Sequence, residues 1–228
     1  MTADEKAALL KRYSDRLAQH GPKIEALGWS KPKHRLRYRV LLEYWLSSAL
    51  PCPLRVLDFG CGFGDLFGFA RERQMPIEYT GLDINQDLIN VARQRYPAAQ
   101  FLCIDPFEHA LDAKFDVILS SGVHNYRLAD NRGFAEQSFE LFDRYSTLGF
   151  AANFLSNRVN FRNESNHYSA PEEILALALR HSARVVLRHD YMPFEFTIFV
   201  DKRNAIDDKL TVFVPFVEDC GRSGDEQA

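Results

Sequence analysis

The alternation that begins at Leu54 constrains this chain more than any other feature. Short apolar runs at 55–59, 77–82, 100–104, 115–120 and 148–154 are separated by helical patterns at 66–73, 88–96 and 134–145. In the last of these, Phe134, Ser138, Leu141 and Phe142 share one stripe. Repeated strand–helix units of this kind predict a parallel sheet with helices on both faces. The pattern changes near its end. Ser169-Ala-Pro-Glu172 predicts a helix opened by a capping box, with a proline in its first turn. Two apolar runs at 183–189 and 194–200 then follow, joined only by Asp190-Tyr-Met-Pro193. So short a link suits a hairpin, and the sheet is expected to finish antiparallel. The expected fold class is α/β, a three-layer αβα sandwich around a seven-stranded, mostly parallel sheet.

Residues 1–50 lie outside this pattern and read as two helices. Thr2-Ala-Asp-Glu5 has the form of a capping box, and Leu10, Tyr13 and Leu17 recur at helical spacing up to His20-Gly21-Pro22. Leu36, Val40, Leu41, Tyr44 and Trp45 make a second stripe, stopped by Pro51 and Pro53. Residues 51–204 are expected to form the main domain. In 205–228, the run 211–217 reads as an edge strand broken by Pro215, and the last residues as disordered.

A chain of 228 residues can bury one substantial core, and 46% hydrophobic with 26% charged residues is ordinary globular composition. No apolar run approaches the ~20 residues a membrane-spanning helix needs. The beginning is charged from residue 4 and carries no apolar signal segment. Four scattered cysteines without a C-x-x-C pair argue against a disulfide framework or a zinc site, so no metal is expected and a reducing cytoplasm is the simplest location. Residues 1–50 hold ten Lys and Arg against five Asp and Glu, whereas the remainder holds 18 against 26. The basic stretch 31–39 leaves a nucleic-acid partner as an alternative, with a solvated helical face as the simpler explanation.

The stretch VLDFGCGFGD at 56–65 sets three glycines at alternate positions after a predicted central strand. In an open α/β sheet, that position is where ligands bind. A P-loop would require G-x-x-x-x-G-K-[ST], and no Lys-Ser or Lys-Thr follows. A dinucleotide fingerprint would require G-x-G-x-x-G/A, but here the third glycine comes one residue early and Asp65 follows, where a pyrophosphate would be repelled. A cationic sulfonium cofactor without phosphate fits better among acidic groups, which points to S-adenosylmethionine.

The chain resembles the class I, Rossmann-like S-adenosylmethionine-dependent methyltransferases over about residues 54–200. Residues 56–64 match the family's first motif, (V/L)LDxGCGxG. YTGLDIN at 79–85, FLCIDPF at 101–107 and FDVILSSG at 115–122 match the second, third and fourth, in family order. Asp83 lies 19 residues after Gly64, and Asp105 22 beyond that. The resemblance implies a cofactor site built from Asp58, Phe59, Gly60, Cys61, Gly62, Gly64, Asp83, Ile84, Asp105, Pro106 and Ser121. Asp83 would accept from both ribose hydroxyls, a bidentate use suited to a carboxylate. Asp105 would accept from the adenine amino group, with Ile104 and Pro106 flanking the ring. Asp58 would organise the glycine loop by accepting backbone N–H groups. Cys61 reads as a small apolar loop residue rather than a reactive thiol.

Methyl transfer from a sulfonium is an in-line displacement from an activated leaving group, so holding the acceptor in place can supply much of the catalysis. The segment after the fourth strand, SSGVHNYR at 120–127, is not the (D/N/S)PP(Y/F) tetrapeptide of the family's adenine, cytosine and glutamine N-methylating members. A small-molecule acceptor methylated at oxygen or another heteroatom is expected instead. RNA or protein acceptors, and a non-catalytic cofactor-binding role, stand as alternatives. His124 is the candidate general base. Asn125, Tyr126, Arg158, Tyr168 and Trp29 are candidate acceptor contacts, and Arg37 a candidate partner for the methionine carboxylate. The first 50 residues are expected to act as a lid that excludes water.

Overall fold

A computed structural model describes residues 1–28, 33–46, 50 and 52–221. Seven strands form one sheet: β1 (Leu54–Phe59), β2 (Ile77–Asp83), β3 (Gln100–Cys103), β4 (Phe115–Ser120), β5 (Ser146–Leu155), β6 (Val185–Met192) and β7 (Glu195–Asp201). Their order is β3-β2-β1-β4-β5-β7-β6. The first five run parallel. β7 enters antiparallel to β5 and pairs antiparallel with β6, the hairpin expected from the short 190–193 link. Strand order reverses between β1 and β4, so the crevice beyond Phe59 and Ser120 is the topological switch point.

The period-2 alternation of each strand divides the core into two layers. Val56, Val117, Leu119 and Phe199 face α2 (Lys33–Leu46), α3 (Asp65–Glu72) and α4 (Gln86–Arg95), through Leu41, Trp45, Phe69 and Ile89. Leu57, Ile118, Phe150 and Phe196 face α5 (Asn131–Tyr145) and α6 (Pro171–Ala178), through Phe139, Phe142, Ile174 and Leu177. Every residue of β4 and β7 is buried, as strands covered on both faces must be.

α1 (Ala3–His20) differs from the other long helices because none of its residues is fully buried. Its capping box forms as expected: the Thr2 hydroxyl accepts from Glu5 N–H, and the Glu5 carboxylate accepts from Thr2 N–H. Two local expectations differ. α6 starts from Ala170 with no side-chain cap, because Ser169 is drawn into a bridge with Ser156. The 211–217 run does not edge the main sheet. Val212–Phe213 (β9) pairs with Ile206–Asp207 (β8) in a separate hairpin, followed by a turn at Pro215 and the short α7 (Val217–Gly221). Trp29 and the final tail at 222–228 lie outside the described residues.

Candidate active site

The turn after β1 is held by β2 rather than left open to a phosphate. Gly60 N–H and Cys61 N–H both donate to Leu82 O, at 2.8 and 2.9 Å. Gly62 N–H donates to Asp83 Oδ2 at 3.0 Å. Gly60, Gly62 and Gly64 all have positive φ, between 54° and 74°. A side chain at Gly60 would place its Cβ 2.2 Å from Val123, so the turn following β4 requires this glycine. The other Asp83 oxygen accepts from Asn85 N–H at 2.9 Å. Burial pushes the Asp83 carboxyl upward, opposed by the N–H groups of Asn85, Gly62 and Ile84. With these three N–H groups against about four acceptor sites on a carboxylate, acceptor capacity is left for a ligand.

Asp83 faces a cavity at the switch point. Its floor comes from the strand ends and following turns, through Phe59, Gly60, Gly62, Ile84 and Asn85, and its sides from Asp105, Pro106, Phe107, Ser121, Val123, Tyr126 and Phe134. Its cover is α1, through Leu9, Leu10 and Tyr13, together with Leu27 from the turn that follows. Leu10 and Tyr13 belong to the apolar stripe read in the sequence, within the segment expected to act as a lid, whereas Leu9 and Leu27 were not singled out there. α1 is docked by polar contacts. Asn85 Nδ2 donates to Leu10 O and Ser14 Oγ, and Ser14 Oγ donates to Asp87 at 2.6 Å. Lys6 Nζ sits 2.6 Å from Asp105 and 2.9 Å from Glu108. Asp105 thus already has a cation as partner.

Several predicted residues lie elsewhere. Asp58 is buried behind the loop. No backbone N–H of the loop reaches it; its partner is the Tyr79 hydroxyl, which donates at 2.8 Å. Burial raises the Asp58 carboxyl to about 7, against the lowering effect of Tyr79. Cys61 is buried under the loop, where burial raises its thiol well above the ordinary range. Gly64 packs against Phe101 and Tyr96 rather than the cavity. Arg37 is buried in a two-point ion pair with Glu195 at the start of β7 and does not line the cavity.

His124 is also displaced from its expected role. Its ring is buried among Phe134, Phe142 and Phe154, with the Phe154 centroid 4.7 Å away. Among the described residues neither ring nitrogen has a hydrogen-bond partner, and the ring does not line the cavity. Burial, then the charge of His167, drives its pKa down to about 3. Such an imidazole stays neutral and cannot reach an acceptor there. Asn125 is structural: its Oδ1 accepts from Leu155 N–H and its carbonyl from His167 N–H. Arg158 is exposed and paired with Glu172, and Tyr168 borders a separate cleft. Of the candidate acceptor contacts among the described residues, Tyr126 alone lines the cavity.

Among the described residues, the cavity lining holds two carboxylates, Asp83 and Asp105, and no Lys, Arg or His side chain. A pyrophosphate would meet repulsion there, whereas a sulfonium with a ribose and an adenine finds acceptors and apolar walls. No group of three or more His, Cys, Asp or Glu among the described residues is placed to hold a metal ion. No described helix is long and apolar enough to cross a membrane.

Comparison with known proteins agrees with this chemistry. Residues 57–142 match the family model of a methyltransferase domain. A putative methyltransferase of Mycobacterium tuberculosis is 30% identical over 160 residues, 66% of this chain and 94% of the relative. A fatty-acid O-methyltransferase of Mycolicibacterium smegmatis is 39% identical over 72 residues, 29% of this chain and 25% of that enzyme. Among solved structures, magnesium protoporphyrin IX methyltransferase from Synechocystis with bound S-adenosylhomocysteine superposes with a TM-score of 0.57 at 14% identity, over 74% of this chain and 82% of that one. Sheet order, an acidic cavity at the switch point and a relative matched over nearly its whole length place this chain in the class I S-adenosylmethionine-dependent methyltransferase family, as an enzyme.

Proposed function

We propose that the enzyme methylates a small molecule at oxygen or another heteroatom. The observation that carries this reading is the cover over the cavity: α1 lies along it, and apolar or aromatic side chains wall it beyond Asp83. Such a space suits a compact acceptor rather than a macromolecular chain. Within the basic stretch 31–39, Arg35, Arg37 and Arg39 already face Glu72, Glu195 and Glu43, which lessens their attraction for RNA. The name of the fatty-acid O-methyltransferase relative supports the same acceptor class.

When bound, S-adenosylmethionine supplies a methyl group on an activated sulfonium. Asp83 would hold the ribose hydroxyls through its free lone pairs, and Ile84 and Pro106 would flank the adenine. Asp105 would accept from the adenine amino group through its remaining lone pairs while still holding Lys6. Gly60, Gly62, Phe59 and Ser121 border the remaining space, and Tyr126 and Phe134 would orient the acceptor. α1 would exclude water. With His124 out of reach, rate acceleration rests on positioning.

Incubation with radiolabelled S-adenosylmethionine and fractionated cell extract tests this reading. Label is expected in a low-molecular-weight fraction. Label confined to RNA or protein would overturn it.

A further inference from the structure

A cleft of about 450 Å³ opens next to the donor cavity, and its character is opposite. Arg127, Arg132 and Arg162 line it, with His167, Tyr168 and Asp130. Arginines elsewhere in the chain are commonly paired with acids: Arg55, Arg95, Arg158, Arg180, Arg184 and Arg203 each meet a carboxylate. The three in the cleft meet none among the described residues. Arg127 donates to Asn166 O at 3.2 Å, and Arg162 to Asn157 O at 3.4 Å while lying over the Tyr168 ring. Arg132 makes no hydrogen bond or ion pair among the described residues. A guanidinium carries five N–H donors, so most of the donor capacity here is unspent.

One carboxylate, Asp130, faces the three guanidinium groups and offsets part of their charge, which leaves the lining with an excess of positive charge. Asp130 is used as the cap of α5, its Oδ1 accepting from Gly133 N–H at 2.7 Å. The positive end of that 15-residue helix opens onto the same space. Tyr168 Oη accepts from Asn163 N–H, which leaves its own proton to donate. His167 is half-buried, and burial followed by Arg127 holds it below the ordinary histidine range, against the raising effect of Glu173.

The cleft and the donor cavity share a wall. Tyr126 lines one and Arg127 the other, and consecutive Cα atoms lie only about 3.8 Å apart. The strap between them is fixed. Tyr126 bridges to Asn166, Arg127 N–H donates to Ser165 O, and Leu128 N–H to Asn131 Oδ1. Ala129 N–H donates to Glu5 of α1 at 2.6 Å, which ties the cover of the cavity to the same strap.

We propose that this cleft binds an oxyanion of the methyl acceptor, a carboxylate or phosphate remote from the atom methylated. The inference rests on the small-molecule reading above and narrows it to anionic acceptors. The unpaired guanidinium groups would anchor the charge, and the rest of the acceptor would cross the strap to Tyr126 and Phe134. Anchoring at a distance serves a displacement reaction whose main requirement is orientation.

Binding is tested first without turnover. The purified full chain, saturated with S-adenosylhomocysteine, is titrated separately with inorganic phosphate and with acetate at constant ionic strength, and arginine Nε–H resonances are followed by NMR. Saturable shifts are expected, and the arm that saturates at lower concentration distinguishes phosphate from carboxylate. Arg132→Ala/Arg162→Ala should weaken the better ligand by roughly tenfold or more, given the strength of charge-assisted hydrogen bonds. Arg180→Ala, whose guanidinium pairs with Glu136 outside the cleft, should leave it unchanged. No saturable shift with either anion, or equal affinity in the double variant, overturns the inference whatever the transfer assay shows. In the transfer assay, the labelled product should be retained on an anion exchanger and should form at least roughly tenfold more slowly with the double variant, at unchanged S-adenosylhomocysteine affinity. A labelled small molecule that is not retained overturns the inference and leaves the small-molecule reading standing. Label confined to RNA or protein overturns both.

Discussion

Asp83 combines two tasks in one carboxylate: it ties the glycine turn to β2, and it presents its remaining lone pairs to the cavity. Asp83→Ala should weaken S-adenosylmethionine binding by roughly tenfold or more, about 1.4 kcal/mol, and titration calorimetry measures it; unchanged affinity would remove Asp83 from the binding set. His124 makes the opposite case, a titratable side chain spent on packing. Its folded pKa of about 3 lies below the unfolded histidine value, so only the unfolded chain takes up a proton as pH falls below about 6.5. Stability should therefore fall with pH across that window, by at most about 2 kcal/mol at pH 5. His124→Phe should flatten the melting-temperature profile between pH 7 and pH 5 and retain methyl transfer. A variant as acid-sensitive as the parent would refute the buried neutral imidazole.

At the scale of an element, α1 is a half-exposed helix held over the cavity by polar contacts at its sides. Its capping box and apolar stripe were legible from Thr2, Glu5, Leu10, Tyr13 and Leu17, because capping and helical period are local. That this segment would act as a lid was expected from the family resemblance, but which contacts would hold it down was not legible. Lys6 gave no signal of its own, since its partners Asp105 and Glu108 lie about a hundred residues away. The Lys6–Asp105 contact is only partly exposed but remains near solvent, so Lys6→Met should change stability by no more than about 1 kcal/mol. It should speed S-adenosylhomocysteine dissociation several-fold in stopped-flow measurements. An unchanged rate would mean that this contact does not hold the cover down.

For the whole molecule, the Arg37–Glu195 pair joins α2 to β7 across 158 residues of chain. Both side chains are buried, so each depends on the other for its charge. Arg37→Met should cost about 3–5 kcal/mol in urea unfolding, and Arg37→Met/Glu195→Leu should recover most of it. If Arg37→Met were harmless to stability yet abolished cofactor binding, Arg37 would belong to the cofactor site after all.

The sequence by itself determined the sheet, its closing hairpin and the class of methyl donor. Strand and helix periods are written in neighbouring residues, and the motifs around Gly60, Asp83 and Asp105 recur at strand ends that the fold must bring to one edge. Only the tertiary structure decided how the charged residues are shared out. Arg37 and Arg158 read as ligand contacts, but Glu195 and Glu172 claim them. His124 read as a base, but three phenylalanine rings enclose it. Arg127, Arg132 and Arg162 carried no motif, yet they meet in one cleft, and none of them pairs with a carboxylate among the described residues. The physical reason is that an ion's partner is set by which distant segments fold beside it, whereas hydrophobic periodicity is set within a few residues.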